Sequence, residues 1–137
     1  MKANGACRIL VVEDSSDDAE LILHSFSGSR FRDKLLLVRD GEDALKALGK
    51  AKPSQLPALV LLDLGLPGLS GLEVLRRIRA DVRYKYMAVI AFTSDVSERD
   101  RGFALEGGAN LFVVKPTGGE AFIKFVRWVE GLLEFIE

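Results

Sequence analysis

Five side chains suited to phosphate or metal chemistry each stand at the end of an apolar run in this sequence. Glu13 and Asp14 follow "RILVV", Asp63 follows "ALVLL", Thr93 closes "MAVIAFT" and Lys115 follows "LFVV". Because an unpaired carboxylate is costly to bury within an apolar strand, Asp63 is expected at the end of its run. Carboxylates brought close together repel each other unless a cation lies between them. If the runs are strands that end at one edge, these residues predict a cation site with a lysine beside it.

The candidate ligands are all oxygen atoms, with no histidine or cysteine among them. Mg²⁺ prefers such ligands and typically takes one or two carboxylates together with a phosphate oxygen. A carboxylate can also attack phosphorus and form an aspartyl phosphate. Lys115 would bring a mobile positive charge to a phosphate oxygen, and the Thr93 hydroxyl would donate a hydrogen bond to another. The set therefore predicts Asp63 as a phosphoryl acceptor that works with Mg²⁺.

Apolar runs alternate with helical patterns along the chain, and this alternation must position the polar side chains. Strands are predicted at 8–12, 34–38, 58–63, 87–94 and 111–114, and helices at 16–26, 41–49, 71–81, 97–108 and 119–137. The alternation predicts an α/β fold with a five-stranded parallel sheet and helices on both faces. In the flavodoxin-like (βα)5 order 2-1-3-4-5, strands one and three are neighbours at the switch point. The residues that follow these two strands should therefore face each other.

Composition argues against other kinds of site. The 137 residues include 19 basic and 20 acidic residues, and this balance gives no support for nucleic-acid binding. The single cysteine and single histidine cannot form a disulfide framework, a cysteine-based zinc site or a histidine metal cluster. No apolar run approaches the roughly 20 residues that span a bilayer. We expect a cytoplasmic protein of one domain, residues 1–137 with a core from about 7 to 137, with no output domain and no nucleic-acid or membrane partner.

The same residues resemble the receiver domain of two-component response regulators over essentially the full length of the chain. The matching motifs are the acidic pair in "VVEDS", the acceptor motif "LLDLGLPGLSG", the hydroxyl in "AFTS" and the lysine–proline pair in "LFVVKP". Each motif alone is weak, but four of them in order at the predicted strand ends are specific. The long loop "ADVRYKYM" before strand four is similar to that of stand-alone receivers paired with bacterial phytochromes.

The resemblance implies a phosphoacceptor signalling protein that assists its own phosphorylation and dephosphorylation, and not an enzyme. A histidine kinase would donate the phosphoryl group to Asp63. In the subset of receivers paired with bacterial phytochromes, that kinase is the phytochrome. The resemblance also implies that Asp14, Asp63 and the backbone carbonyl of Gly65 bind Mg²⁺, while Glu13 acts through a metal-bound water. Gly65 lacks the polar side chain that many members carry two residues after the acceptor, which leaves the lifetime of the aspartyl phosphate open.

Three further residues are expected to respond to phosphorylation or to shape the site. The resemblance implies that Thr93 is drawn inward and that Phe112 on strand five changes rotamer. Phe112 replaces a frequent tyrosine, so a switch there would be steric. The Lys115–Pro116 bond is expected to be cis, which a bond to proline permits at small cost.

The last helix carries an apolar arc over about half of its circumference, wider than the stripe of roughly 100° that covers a core. In receivers, the face made by helix four, strand five and helix five often mediates dimerisation. We therefore expect a homodimer or partner face that includes Phe122, Phe125, Trp128 and Phe135. The alternative is that helix four and nearby loops cover Trp128 and Phe135 within the monomer.

Three other functions are compatible with an α/β fold of this kind. A flavin-binding module would need hydroxyls and glycine after strand one, where "EDSSDDAE" instead offers carboxylates that repel a phosphate. A phosphohydrolase that uses an aspartyl phosphate would place its nucleophile and acid two residues apart after strand one, and "VVEDSS" lacks that spacing. An unphosphorylated scaffold would have no need for the intact set Asp14, Asp63, Thr93 and Lys115.

Overall fold

A computed structural model of the chain describes residues 7–94 and 97–136. In these residues five β-strands alternate with five α-helices, as the sequence predicts. The strands are β1 Ile9–Val12, β2 Leu35–Val38, β3 Leu59–Leu62, β4 Ala88–Thr93 and β5 Leu111–Val114. The helices are α1 Ser16–Phe26, α2 Gly41–Lys50, α3 Gly71–Ala80, α4 Glu98–Glu106 and α5 Gly119–Ile136. Short 3₁₀ turns at Arg32–Lys34, Pro53–Gln55 and Val82–Tyr84 were not predicted.

The five strands form one parallel sheet in the order β2-β1-β3-β4-β5, which confirms the predicted topology. The last residue of β1, Val12, lies between Val38 of β2 and Leu62 of β3. The sheet pairing continues for one residue beyond these ends, because Glu13 N–H donates to the Val38 carbonyl and Asp63 N–H donates to the Val12 carbonyl. The acidic residues after β1 and β3 are thereby held side by side.

The core lies in two layers, one on each face of the sheet. Helices α1 and α5 cover one face with Ile22, Phe26, Phe122, Val126 and other apolar residues. Helices α2, α3 and α4 cover the other face. β1 and β3 are buried on both sides along their whole length, which explains why their sequences are continuous apolar runs and do not alternate.

A capping side chain fixes the start of each of the first four helices. The cap residues are Ser15, Asp40, Ser70 and Ser97, and each accepts a hydrogen bond from the backbone N–H three residues later. Each cap fixes the residue at which its helix begins and therefore the length of the loop between that helix and the preceding strand. At the other end of α4, the chain turns through Gly108 with φ +106°, so this helix is shorter than the predicted 97–108.

Helix α5 has apolar side chains on two sides, and the two sides have different environments. Phe122, Val126, Val129 and Leu133 are 0–2% exposed and form the side that covers the sheet. The prediction that Phe122 lies on a partner face is therefore wrong, because its ring is packed edge-on against Phe92 in the core. Despite its apolar content, neither α5 nor any other helix in the described part of the chain is long and apolar enough to cross a membrane. Residue 137, the predicted end of the helix, lies outside the described residues.

The second apolar side of α5 is partly open, and we call it the outer stripe. Trp128 is 43% exposed and Phe135 is 88% exposed, so helix α4 and the loops do not cover them within the monomer. The outer stripe consists of Phe125, Trp128, Leu132 and Phe135.

Candidate functional site

Three carboxylates from two neighbouring strand ends meet at the carboxyl edge of the sheet. Glu13 and Asp14 follow β1, and Asp63 follows β3. One oxygen from each carboxylate lies within 4.8 Å of the other two. Glu13 is 0% exposed and Asp63 is 6% exposed, so two of the three carboxylates are removed from bulk water. The structure thus brings together the acidic residues that the sequence selected from separate strands.

Lys115, which follows β5, reaches across the sheet edge into this acidic group. Its Nζ lies 2.8 Å from Glu13 Oε1, 2.8 Å from Asp18 Oδ2 and 3.0 Å from Asp63 Oδ2. The Lys115 side chain is 7% exposed. Its backbone is fixed as well, because Lys115 N–H donates to the Thr93 carbonyl at 2.8 Å. An ammonium has three N–H donors, and three carboxylates surround this one.

Both oxygens of the Asp63 carboxylate are held in place. Gly65 N–H donates to Oδ1 at 2.9 Å, and Lys115 Nζ donates to Oδ2 at 3.0 Å. The first residue of α3 also packs closely against the backbone of this loop. A Cβ on Gly71 would lie 2.3 Å from the Asp63 carbonyl oxygen and 2.5 Å from Leu64 Cα, so only glycine allows this close approach. The acceptor loop is therefore closely packed on the helix that follows it.

The environment of the site raises the pKa of both Glu13 and Lys115. The change favours the neutral form of Glu13 but the charged form of Lys115. Burial raises the pKa of Glu13 to about 7, and the negative charge of Asp63 adds to this, although the Lys115 ammonium opposes it. Burial alone would lower the pKa of Lys115, but its hydrogen bonds to Asp18, Glu13 and Asp63 raise that pKa above its ordinary value. Lys115 therefore remains charged, whereas the carboxylates still carry more negative charge than one lysine neutralises.

The donor set fits a divalent cation with oxygen ligands. Among the described residues, the Asp14 carboxylate has no hydrogen bond or ion pair, whereas Glu13 and Asp63 are both bound by Lys115. An unpaired carboxylate beside two buried ones is unfavourable without a positive charge nearby. The three ligands are hard oxygen donors, which suit Mg²⁺, Mn²⁺ or Ca²⁺ better than softer metals. Gly65, whose carbonyl is a predicted ligand, is an exposed residue two positions after Asp63.

The predicted switch residues lie on the neighbouring strands β4 and β5. Thr93 ends β4 and is 2% exposed. Phe112 is half-buried on β5 and packs against the core layer under α2, α3 and α4. The prediction of a cis Lys115–Pro116 bond is wrong, since none of the described peptide bonds is cis. Trans is the intrinsically favoured isomer, and with it Lys115 already reaches the carboxylates.

Two residues that contact the site were missed by sequence reasoning. Asp18 was not among the candidate site residues, yet its carboxylate binds Lys115 at 2.8 Å. Arg39 follows β2, and its guanidinium donates to the backbone carbonyls of Glu13 at 3.0 Å and Asp14 at 2.7 Å. The rule that selected the other residues, a polar side chain directly after a strand, would have found Arg39. No such rule selects Asp18, because its contact depends on the path of a lysine 97 residues away.

Comparisons of this chain with known proteins agree on one family. The family model for the response regulator receiver domain matches residues 9–127. The probable methanogenesis regulatory protein FilR2 of Methanothrix harundinacea is 34% identical over 93% of this chain and 81% of its own length. The response regulator Rcp1 of Synechocystis is 33% identical over 89% of this chain and 85% of its own. The chain spans 49% of the DNA-binding response regulator MtrA of Mycobacterium tuberculosis, which is 34% identical.

Solved structures give the same result at the level of the fold. The phosphorylated cyanobacterial phytochrome response regulator RcpA superposes with a TM-score of 0.86, at 26% identity over 97% of both chains. The Mn²⁺-bound form of Rcp1 superposes with a TM-score of 0.79, at 31% identity over 90% of this chain and 91% of the other.

Proposed function

This chain belongs to the family of response regulator receiver domains, and we propose that it signals by accepting a phosphoryl group on Asp63 from a histidine kinase. One observation carries this proposal: a single lysine, Lys115, contacts Asp63 at 3.0 Å beside three carboxylates spaced for one cation. That arrangement combines a nucleophile with the positive charge that phosphoryl transfer requires. The sheet edge is also where folds of this class bind ligands.

The residues of the chain have distinct roles in the proposed transfer. A carboxylate oxygen of Asp63 attacks phosphorus, and the bond from phosphorus to the donor histidine nitrogen breaks, leaving its electron pair on that nitrogen. Lys115, already at hydrogen-bond distance from Asp63, turns an N–H towards a phosphoryl oxygen. Thr93, at the end of β4, donates to another phosphoryl oxygen. The phosphoryl group is later removed by hydrolysis, in which water attacks phosphorus and the bond from phosphorus to the Asp63 oxygen breaks, releasing inorganic phosphate and the free carboxylate. The protein assists this step without acting on any other substrate.

The proposed cofactor is Mg²⁺, held by Asp14, Asp63 and the Gly65 carbonyl, with Glu13 bound through water. The unpaired Asp14 carboxylate and the raised pKa of Glu13 support a cation at this position. The structure of Rcp1 with Mn²⁺ supports a divalent ion in a similar receiver. When bound, such an ion neutralises charge on the carboxylates and the phosphoryl oxygens.

The proposed output is a change in a protein-binding face. Phosphorylation draws Thr93 inward, and Phe112 changes rotamer on the neighbouring strand, where Ala91 of β4 pairs with Phe112 of β5. The same region of the molecule carries the outer stripe of α5. Its members Phe125, Trp128, Leu132 and Phe135 repeat at intervals of three and four residues, as in the seam of a coiled coil. We therefore propose a homodimer through α4, β5 and α5, with Phe125 at the inner edge of the stripe.

The kinase is proposed to be a bacterial phytochrome. RcpA, with a TM-score of 0.86, is a phytochrome response regulator, which supports this assignment for the present chain. A histidine kinase takes its phosphoryl group from ATP, so the proposal places the protein in the cytoplasm. The near balance of 19 basic and 20 acidic residues supports a protein partner over nucleic acid.

Intact-mass measurement tests the function with a small phosphodonor. Incubation with acetyl phosphate and Mg²⁺ should add one phosphoryl group to the wild type. The addition should be absent without Mg²⁺ and absent in Asp63→Asn, which keeps the size of the side chain. An unchanged wild-type mass across a titration of donor and metal would overturn the proposal, as would an equal mass gain in the variant.

A further inference from the structure

We propose that Asp18 is a positioning residue that holds the Lys115 ammonium over Asp63 and thereby sets the rate of phosphoryl chemistry at the site. The inference rests on the proposed function, because it concerns the lysine that would contact the phosphoryl group. It starts from the contact between Asp18 Oδ2 and Lys115 Nζ at 2.8 Å, which joins the first turn of α1 to the end of β5.

The local structure gives Asp18 a fixed position. Ser15 caps α1 and accepts a hydrogen bond from Asp18 N–H at 3.2 Å, so the backbone of Asp18 is held within the first turn. Ser15 N–H in turn donates to Glu13 Oε2 at 3.1 Å. The cap therefore couples the position of Asp18 to that of the acidic pair that precedes the helix.

Lys115 needs such an anchor because its side chain is long and flexible. Its backbone is fixed by the hydrogen bond to the Thr93 carbonyl, but four carbons separate that backbone from Nζ. Two of its three partners, Glu13 and Asp63, belong to the carboxylate group within 4.8 Å that suits a cation. Asp18 lies outside that group. A cation would therefore compete with Lys115 for Glu13 and Asp63 but would leave Asp18 to the lysine.

The three contacts have different fates when Asp63 is phosphorylated. The contact from Lys115 to Asp63 would be exchanged for one to a phosphoryl oxygen, and Glu13 would be available to hold the cation through water. Asp18 is the one of these three partners of Lys115 that lies outside the candidate cation group, so its carboxylate remains available to the lysine. Its side chain is 27% exposed and that of Lys115 is 7% exposed, so this ion pair stands between the buried site and solvent. Asp18 therefore keeps the lysine aimed into the site through the reaction.

The kinetic test compares Asp18→Asn with Asp17→Asn. Asp17 is the matched control because it is an exposed carboxylate in the same helical turn with no contact to Lys115. At saturating Mg²⁺, Asp18→Asn should slow phosphorylation by acetyl phosphate at least about fivefold, since a charge-assisted hydrogen bond is lost. The affinity for Mg²⁺ should stay within about twofold, because Asp18 is not among the ligands. Asp17→Asn should change neither quantity.

A double-mutant cycle separates positioning from a general structural effect. If Asp18 acts through the lysine, Asp18→Asn should have no further effect on the residual rate in a Lys115→Gln background. An equal loss in both backgrounds, or an Asp18→Asn variant that is as fast as or faster than the wild type, would overturn the proposal.

Nuclear magnetic resonance of ¹⁵N-labelled lysine ammonium groups tests the anchoring without any phosphoryl transfer. The Lys115 ammonium should exchange its protons slowly in the wild type and in Asp17→Asn, and at least about tenfold faster in Asp18→Asn, because a hydrogen-bonded partner is removed. Equal exchange in all three proteins would overturn the anchoring. A wild type that is inert to every donor but shows this difference would overturn the proposed function and leave Asp18 as an anchor of Lys115.

Discussion

At the scale of single residues, the negative charges of three carboxylates in the site are opposed by the positive charge of one lysine. Glu13 and Asp63 are buried and share the Lys115 ammonium, whereas Asp14 has no partner among the described residues. The raised pKa of Glu13 reflects the cost of keeping negative charge out of water with only one cation nearby. A divalent ion would relieve that cost, and Asp14 is the carboxylate most available to bind it.

Asp14→Ala should weaken Mg²⁺ binding at least about tenfold, since even the loss of an outer partner of a metal ligand has an effect of that size. The fold should remain intact, because Asp14 contributes no side-chain hydrogen bond within the described residues. Without metal, the melting temperature should stay the same or rise, because one of three repelling carboxylates is gone.

Isothermal titration calorimetry with Mg²⁺ measures this affinity directly. Asp17→Ala serves as the control, since it removes an exposed carboxylate outside the group of three. Unaltered Mg²⁺ affinity in Asp14→Ala would remove Asp14 from the site.

Sequence reasoning at this scale predicted the position of a side chain correctly where the residue directly follows a strand. Asp63 and Lys115 stand at such positions, and parallel strands bring their ends to one edge whatever the loops do. Asp18 was missed because its contact depends on how α1 leaves the sheet. Phe122 was assigned to the wrong side of α5 because an apolar arc in a sequence does not reveal which part of it meets the sheet.

At the scale of elements, the strand ends hold the site only if the loops that follow them are packed firmly. The loop after β3 is held by α3, whose first residue Gly71 touches the backbone of Asp63 and Leu64. The loop after β1 is held by Arg39, which binds the carbonyls of Glu13 and Asp14 from the end of β2. The acceptor and the acidic pair are thus each supported from a neighbouring element.

Gly71→Ala should separate α3 from the acceptor loop, because the new Cβ would lie 2.3 Å from the Asp63 carbonyl oxygen. Overpacking of this kind typically lowers the free energy of unfolding by about 1–3 kcal/mol. We expect a lower melting temperature together with slower phosphorylation at saturating Mg²⁺.

Thermal melts and phosphorylation rates should be compared with those of Gly49→Ala. Gly49 is also helical, and a Cβ there meets nothing within 4 Å, so its replacement should keep or raise stability. If Gly71→Ala matched Gly49→Ala in both measurements, the close contact between α3 and the acceptor loop would have no energetic consequence.

At the scale of the whole molecule, the two sides of α5 have different environments, one within the core and the other at the proposed dimer face. The buried side joins the core beneath the sheet, while the outer stripe leaves Trp128 and Phe135 open to solvent. Aromatic rings connect this stripe with the site: Trp128 contacts Phe125 at 5.8 Å, and Phe125 stacks on Phe92 at 4.9 Å. The Lys115 Nζ lies 5.8 Å from the Phe92 ring. The proposed dimer would cover Trp128, at the outer end of this series of rings.

Phe135→Glu should shift the protein from dimer to monomer, because a charge would replace an apolar side chain at a symmetric contact. Since Phe135 is 88% exposed in the monomer, its replacement should leave the intrinsic stability of the monomer unchanged. Trp128→Glu should also favour the monomer, with some loss of stability from its contact with Phe125.

Multi-angle light scattering at tens of micromolar gives the mass of each variant. Tyr86→Glu is the control, since Tyr86 is an aromatic side chain that is 90% exposed and does not belong to α4, β5 or α5. A monomeric wild type, both with and without phosphorylation, would count against the interface, and so would a dimer that persists in Phe135→Glu.

The central claim is that the phosphoryl group forms an acyl phosphate, a mixed anhydride, with the Asp63 carboxylate, and reductive mapping tests this claim most directly. Borohydride converts an aspartyl phosphate to homoserine, which peptide mass spectrometry locates in the sequence. After treatment with acetyl phosphate and Mg²⁺, the wild type should carry homoserine at position 63 and nowhere else. Reduction at another acidic residue, or a protein that gains a phosphoryl group without any reducible aspartate at position 63, would contradict the account.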